Sequence, residues 1–228
     1  MNKRGAKQSE SPSRGRKKRK QALAAQHNIV QFFSKSAQGD CLGCGFPDWR
    51  RRLSNFYARS VRVAAKDSEA GGNEVTYPSV EHYFQAMKYQ YSSRPELSAR
   101  FAVGGPWKEA REAKRQGSKT GMQRHGAKLD RPRWDAMRLT VMTQGLQAVW
   151  AQHEDFRAIL QEVKAQHKYL LHFERSGARS FWGGSVCKQT GQVRGQNHLG
   201  KIMMALTAAP PAVNSPQKEQ QKQYHSAA

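Results

Sequence analysis

Three polar side chains near the middle of the chain are spaced to act together. Glu81, Gln85 and Lys88 lie in the run Tyr77-Pro78-Ser79-Val80-Glu81-His82-Tyr83-Phe84-Gln85-Ala86-Met87-Lys88. At i, i+4 and i+7 they fall on one face of two turns of an α-helix. A carboxylate and an amine would then look into one space. An amine whose pKa is lowered by partial burial is a nucleophile toward a masked carbonyl, with which it forms a Schiff base, and a nearby carboxyl group can shuttle the protons. The same spacing also describes an ordinary solvated charge pattern that supports a helix.

Other elements have to carry this helix and face it. Pro78 and Ser79 open it, Ser79 as the cap, and the spacing predicts a helix over residues 80–91. Residues 61–65 and 74–77 read as short strands on either side of Gly71-Gly72-Asn73, the pattern of a hairpin. Apolar residues recurring every three or four positions predict helices over 106–115, 134–150 and 156–164. A strand over 169–173 and a last helix over 198–206 complete the pattern. The sum is an α+β domain, mostly helical with a small antiparallel sheet. No internal repeat is visible.

At 228 residues the chain suits one domain of ordinary size with flanking tails. Its formal charge of +22 is shared between tail and body: residues 1–39 carry ten basic and one acidic side chains, and residues 40–207 carry 27 and 15. A basic body attracts polyanions, so nucleic acid is the partner class it favours, ahead of an anionic membrane. Three cysteines, Cys41, Cys44 and Cys187, cannot build a disulfide framework. Cys41 and Cys44 form a CxxC, but His82 and Cys187 are too scattered to complete a zinc site, and no metal is expected. Nothing near the N-terminus reads as a signal peptide or membrane span, so a reducing, intracellular setting is expected.

Residues 1–39 read as a disordered basic arm, because they hold too few apolar groups to offset the entropy of folding. Residues 40–207 are the expected domain and 208–228, with Pro210, Pro211 and Pro216, a second disordered tail. The run Arg16-Lys17-Lys18-Arg19-Lys20 suits a nuclear import signal or a phosphate-gripping patch. Next comes Gln26-His27-Asn28-Ile29-Val30-Gln31-Phe32-Phe33. It resembles the PCNA-interacting peptide of replication and repair proteins. On one helical turn, Ile29, Phe32 and Phe33 form a three-point apolar plug, with Gln26 at the pocket edge. The other reading is a first helix or strand that packs on the folded domain.

Five segments in register extend the reading to nearly the whole body: Leu53-Ser54-Asn55-Phe56-Tyr57; the run containing Glu81 and Lys88; Ala113-Lys114-Arg115-Gln116-Gly117; Trp134 with Arg138 and Met142; and Phe181-Trp182-Gly183-Gly184 followed by Asn197-His198-Leu199-Gly200-Lys201. Together they resemble the NADAR superfamily of YbiA-like N-glycosidases. That resemblance implies a YbiA-like α+β fold, a cofactor-free and metal-free active site, and hydrolysis at an anomeric carbon. It implies catalytic roles for Lys88 and Glu81 and a substrate contact from Asn55; Gln85 and Asn197 are further expected contacts, Phe56 and Tyr57 would be split between core and pocket, and Trp182 beside Gly183 is either an aromatic face for a ligand or a core tryptophan at a glycine turn. Asn197 and Gly200 would present helix amides to a phosphate. One position departs from the pattern: many relatives carry an acid two residues before the Phe-Trp-Gly, where this chain has Arg179.

The expectation joining both halves is a monomeric nuclear enzyme, recruited by PCNA, that removes ADP-ribose from guanine bases of DNA through a lysine Schiff base. The alternatives are a YbiA-type N-glycosidase of phosphorylated riboflavin-pathway intermediates, or a module that reads ADP-ribose or DNA without chemistry.

Overall fold

In chain order the elements are strand β1 (Ile29–Phe32), helix α1 (Trp49–Arg52), strands β2 (Val61–Ala64) and β3 (Glu74–Tyr77), helix α2 (Val80–Gln90), helices α3 (Ala110–Gln116), α4 (Lys119–Arg124), α5 (Arg131–Gln152) and α6 (Glu154–Ala165), strand β4 (Tyr169–His172), strands β5 (Ser185–Val186) and β6 (Val193–Arg194), and helix α7 (His198–Leu206). Short 3-10 segments cover Pro95–Phe101 and Gly177–Arg179. This computed structural model describes residues 28–39, 42–64 and 74–208. Gln26, the basic run at 16–20, Cys41, the 71–73 turn and the tail from 209 lie outside the described residues.

Helix α2 forms where the sequence predicts it. Ser79 caps it: its hydroxyl accepts from the His82 N–H at 3.4 Å and donates to His82 Nδ1 at 2.8 Å. His82 Nε2 in turn donates to the carbonyl of Trp107 at 3.1 Å, which fixes the ring's tautomer. Burial lowers the pKa of His82 and keeps that ring neutral. The helix is buried nearly all round, by Val80, Tyr83, Phe84, Ala86 and Tyr89 as well as by the polar Glu81, His82 and Gln85. It runs against α5 at Gly145, where an added Cβ would stand 2.6 Å from the Tyr83 ring. Only glycine lets the two axes come that close.

Helix α5 starts at Asp130, whose side chain accepts from the Arg133 N–H at 3.1 Å, with Pro132 in the first turn. In α6 the buried residues are Phe156, Ile159, Leu160 and Val163, the i, i+3, i+4, i+7 stripe of an amphipathic helix. The expected helix over 106–115 begins later, at Ala110. Trp107 is 4% exposed, and with its carbonyl claimed by His82 the chain stays extended there.

Among the described residues the three sheets have two strands each, and β2 and β3 pair antiparallel from Val61↔Tyr77 to Ala64↔Glu74, the expected hairpin pairing. The first sheet differs from expectation. Strand β1 pairs parallel with β4, in register from Ile29↔Tyr169 to Phe32↔His172. Leu170 and Leu171 of β4 are both fully buried, so this strand has protein on both faces, as parallel pairing favours.

This pairing corrects the reading of the N-terminal arm. The described fold includes residues 28–39, part of the stretch read as a disordered arm, and Ile29 to Phe32 are a strand rather than a helical turn. Phe32 is completely buried and packs 5.4 Å from the His172 ring, while Phe33 packs 5.4 Å from Phe173. The apolar cluster does have a core to join, supplied by residues far along the chain.

Candidate active site

The helix face singled out by its spacing borders a cavity of about 720 Å³, within the size range of small-molecule sites. Helix α2 contributes Glu81, Phe84, Gln85 and Lys88. The turn before β2 adds Ser54, Asn55 and Phe56, and α5 adds Arg131, Trp134, Asp135, Arg138 and Met142. From β4 onward come His172, Phe173, Glu174, Arg175, Ser176 and Trp182. Lys114 of α3 and Phe33 and Ser34 after β1 complete the part that matters chemically.

Glu81 is 6% exposed, and its Oε1 accepts from Gln85 Nε2 at 2.8 Å. Burial raises its pKa against the opposing pull of Lys114, the Gln85 hydrogen bond and Lys88. Lys88 is half-buried and donates from Nζ to the Gly117 carbonyl at 2.5 Å. Burial lowers its pKa, against the charge of Glu81 and with help from Arg131. Both shifts favour the neutral forms, an acid beside an amine, which is the pairing that nucleophilic lysine chemistry needs.

The surroundings hold this pair by contacts that no local pattern displays. The backbone carbonyl of Asn55 accepts from the Glu81 N–H at 3.0 Å, tying the 54–56 turn to the start of α2. Asn55 Oδ1 and Gln85 Oε1 are buried without a hydrogen-bond partner, so two amide groups of the cavity lining have acceptor capacity to spare. Gly117 leaves room for Gln85: a Cβ there would be 1.9 Å from Gln85 Oε1.

An aromatic wall stands beside the polar groups. Phe84 meets Trp134 at 5.0 Å and Trp182 at 5.4 Å, both edge to face, and Trp182 meets Phe181 at 4.9 Å. Lys114 Nζ lies 5.4 Å over the Phe56 ring. Asp135 pairs with Arg131 at 2.7 Å and with Arg138 at 3.4 Å, and the Arg138 guanidinium lies 3.7 Å over Phe181.

Of the residues expected at the site, Asn55, Phe56, Glu81, Gln85, Lys88 and Trp182 are brought together at the cavity. Tyr57, Gly183 and Asn197 do not line it. Tyr57 is packed by Arg59 at 4.8 Å and Arg52 at 5.5 Å. Gly183 presses on β4, where a Cβ would fall 2.2 Å from the His172 carbonyl oxygen.

Asn197 is fully buried and spends its amide on β4, donating to the Leu170 carbonyl at 2.7 Å and accepting from the His172 N–H at 3.1 Å. The first amides of α7, from His198 and Leu199, go to the carbonyls of Phe181 and Trp182. The start of this helix therefore has little left to offer a phosphate. Arg179 is exposed in the Gly177–Arg179 turn and likewise does not line the cavity.

Sequence reasoning missed Lys114, Arg131, Asp135, His172, Glu174 and Arg175. The polar character of Lys114 and of the 172–176 stretch was visible, but nothing local said that these residues face the Glu81 helix.

Comparison with known proteins shows the family and the fold. A model described as the NADAR domain matches residues 46–209. The chain is 31% identical over 182 residues to N-glycosidase YbiA of Shigella flexneri serotype 5b (strain 8401), across 79% of this chain and 88% of that protein. It is 26% identical over 154 residues to the chloroplastic riboflavin biosynthesis protein PYRR of Zea mays, across 68% of this chain but 22% of that protein. The NMR structure of E. coli YbiA superposes with a TM-score of 0.52 at 24% identity, covering 79% of this chain and 83% of that one. The fold is YbiA-like.

Proposed function

This chain belongs to the NADAR family, and from that premise we propose that it is an N-glycosidase that removes ADP-ribose from guanine bases of DNA through a Schiff base on Lys88. The observation that carries the reading is the pair at the cavity, Glu81 and Lys88, each pushed toward its neutral form by burial. The neutral Lys88 amine attacks the anomeric carbon of the ribose. The carbon–nitrogen bond to the base breaks, and the base leaves with its electron pair and takes a proton from Glu81. The ring carbon–oxygen bond then breaks with its pair going to the oxygen, which takes a proton from the Lys88 nitrogen as that nitrogen forms an iminium with the same carbon, and water then releases the sugar.

Support for a nucleic-acid substrate comes from charge. Lys114, Arg131, Arg138 and Arg175 line the cavity, and the 40–207 body is itself strongly basic. The run Arg16 to Lys20 would serve as a nuclear address. Recruitment by PCNA through Ile29, Phe32 and Phe33 would require β1 to leave β4, because Phe32 is committed to the core.

A second reading is a small-molecule N-glycosidase acting on a phosphorylated riboflavin-pathway intermediate. The name of the maize protein favours it, while that of the YbiA relatives, N-glycosidase, fits both readings. Incubating the purified protein and its Lys88→Ala variant with a guanine-ADP-ribosylated oligonucleotide, with and without borohydride, separates the two by mass spectrometry. Release of ADP-ribose by the wild type, with a trapped adduct that the variant lacks, is the expected result. Faster turnover of a phosphoribosyl-aminopyrimidine would sink the DNA reading, and tight binding of the oligonucleotide without release would make the protein a reader.

A further inference from the structure

Among its proton transfers the lysine route needs one to the departing base and one from the incoming water, and the cavity holds a carboxyl group suited to the second. Glu81 serves the first: it is buried, and that burial raises its pKa toward the protonated form. Glu174, from the segment after β4, is set up differently. Its side chain is 31% exposed, on the solvent side of the comparison with Glu81.

One carboxylate oxygen of Glu174 is anchored and the other is left over. Oε2 accepts from Ser180 Oγ at 2.5 Å and from Ser176 Oγ at 3.4 Å. Ser180 Oγ also accepts from the Gly183 N–H at 2.8 Å, which turns its own proton toward Glu174. The backbone is clamped as well: Glu174 N–H donates to the Gly184 carbonyl and the Glu174 carbonyl accepts from the Gly177 N–H, both at 3.0 Å. Among the described residues Oε1 makes no hydrogen bond, and His172 Nδ1 stands 3.7 Å from it, beyond hydrogen-bonding range. Burial lowers the pKa of His172, against the charge of Glu174 and with help from Lys114.

Resting on the glycosidase reading above, we propose that Glu174 is the general base of the second half-reaction, taking a proton from the water that attacks the Lys88–sugar iminium. The new bond joins the water oxygen to the anomeric carbon, and the C=N electron pair moves onto the Lys88 nitrogen. Glu174 then returns its proton to that nitrogen. The carbon–nitrogen bond breaks with its pair going to Lys88, the hydroxyl oxygen closes to a carbonyl, and the proton it loses restores Glu81 for the next turn. Paired carboxyl groups in unlike surroundings, one kept as acid and one as base, are the general solution for glycosyl transfer to water.

The test is Glu174→Gln, whose amide oxygen still accepts from Ser180, in a single-turnover and a steady-state experiment with the guanine-ADP-ribosylated oligonucleotide. The expected result is a first release of base at a rate within about twofold of wild type. Turnover then slows about 100-fold, the size of effect general-base catalysis supplies, and a borohydride-trappable adduct on Lys88 accumulates. Glu174→Asp restores part of the turnover. Turnover by Glu174→Gln at the wild-type rate overturns the role, as does loss of the first release and the adduct together in a variant that melts like wild type. If the wild type itself releases no base, the glycosidase reading fails and takes this role with it.

Discussion

Replacing Gly117 by Ala tests how the cavity holds its acid. Gly117 sits at φ −81°, a conformation open to alanine, so on backbone grounds the change should stabilise the protein by about 0.4–1 kcal/mol. The structure reverses that sign. The new Cβ would lie 1.9 Å from Gln85 Oε1 and 2.6 Å from its Cδ. Gln85 is buried, and the open volume beside it is the cavity, so its amide must swing into substrate space and release Glu81.

Losing that hydrogen bond and repacking the site costs about 1–2 kcal/mol. For a chain of this length that lowers Tm by about 2–8 °C. Activity suffers more, because a displacement of about 1 Å in a catalytic group is enough for a loss of roughly 100-fold. Thermal unfolding and single-turnover base release measure the two effects. In the double variant with Gln85→Ala, the clash with the amide is removed, a 3.0 Å contact between the two Cβ atoms is left, and the stability loss should be less than the sum of the single variants. A Gly117→Ala protein that melts at or above the wild-type temperature with full activity would refute the packing argument.

Two further outcomes follow from the burial pattern. Phe32→Ala should cost about 3–5 kcal/mol in chemical denaturation, the usual range for emptying a fully buried phenylalanine site; a variant as stable as wild type would return Phe32 to a docking role. Glu81→Gln should abolish base release yet stabilise the fold at neutral pH. The folded-state pKa of Glu81 lies above its ordinary 4.5, so the native state binds the extra proton and stability falls as pH rises through the window that opens near that value. Denaturation midpoints between about pH 4 and 8 should show that slope in the wild type and lose it in Glu81→Gln; parallel curves would count against a buried acid.

The catalytic face of α2 was legible from sequence because helical spacing is a local property: Ser79 as cap and Glu81, Gln85 and Lys88 at i, i+4 and i+7 fix which side chains share a side. The β2–β3 hairpin and the stripe of α6 were legible for the same reason. Strand β1 was not, since its partner Tyr169–His172 lies far along the chain and an apolar triplet with a spacing of three serves a docking turn as well as a buried strand. Asn197 was misjudged because an asparagine before a helix reads the same whether its amide meets a ligand or, as here, pins β4.

What the sequence determined by itself was the helix that carries Lys88 and Glu81, along with the family pattern around it. What only the tertiary structure decided was the far side of the cavity: that Glu174 and His172 stand there, that Arg179 does not line it, and that β1 pairs with β4. Local periodicity reports which residues share a face. Which faces meet is set by burying β4 and α2 on every side, and that is decided by the whole chain at once.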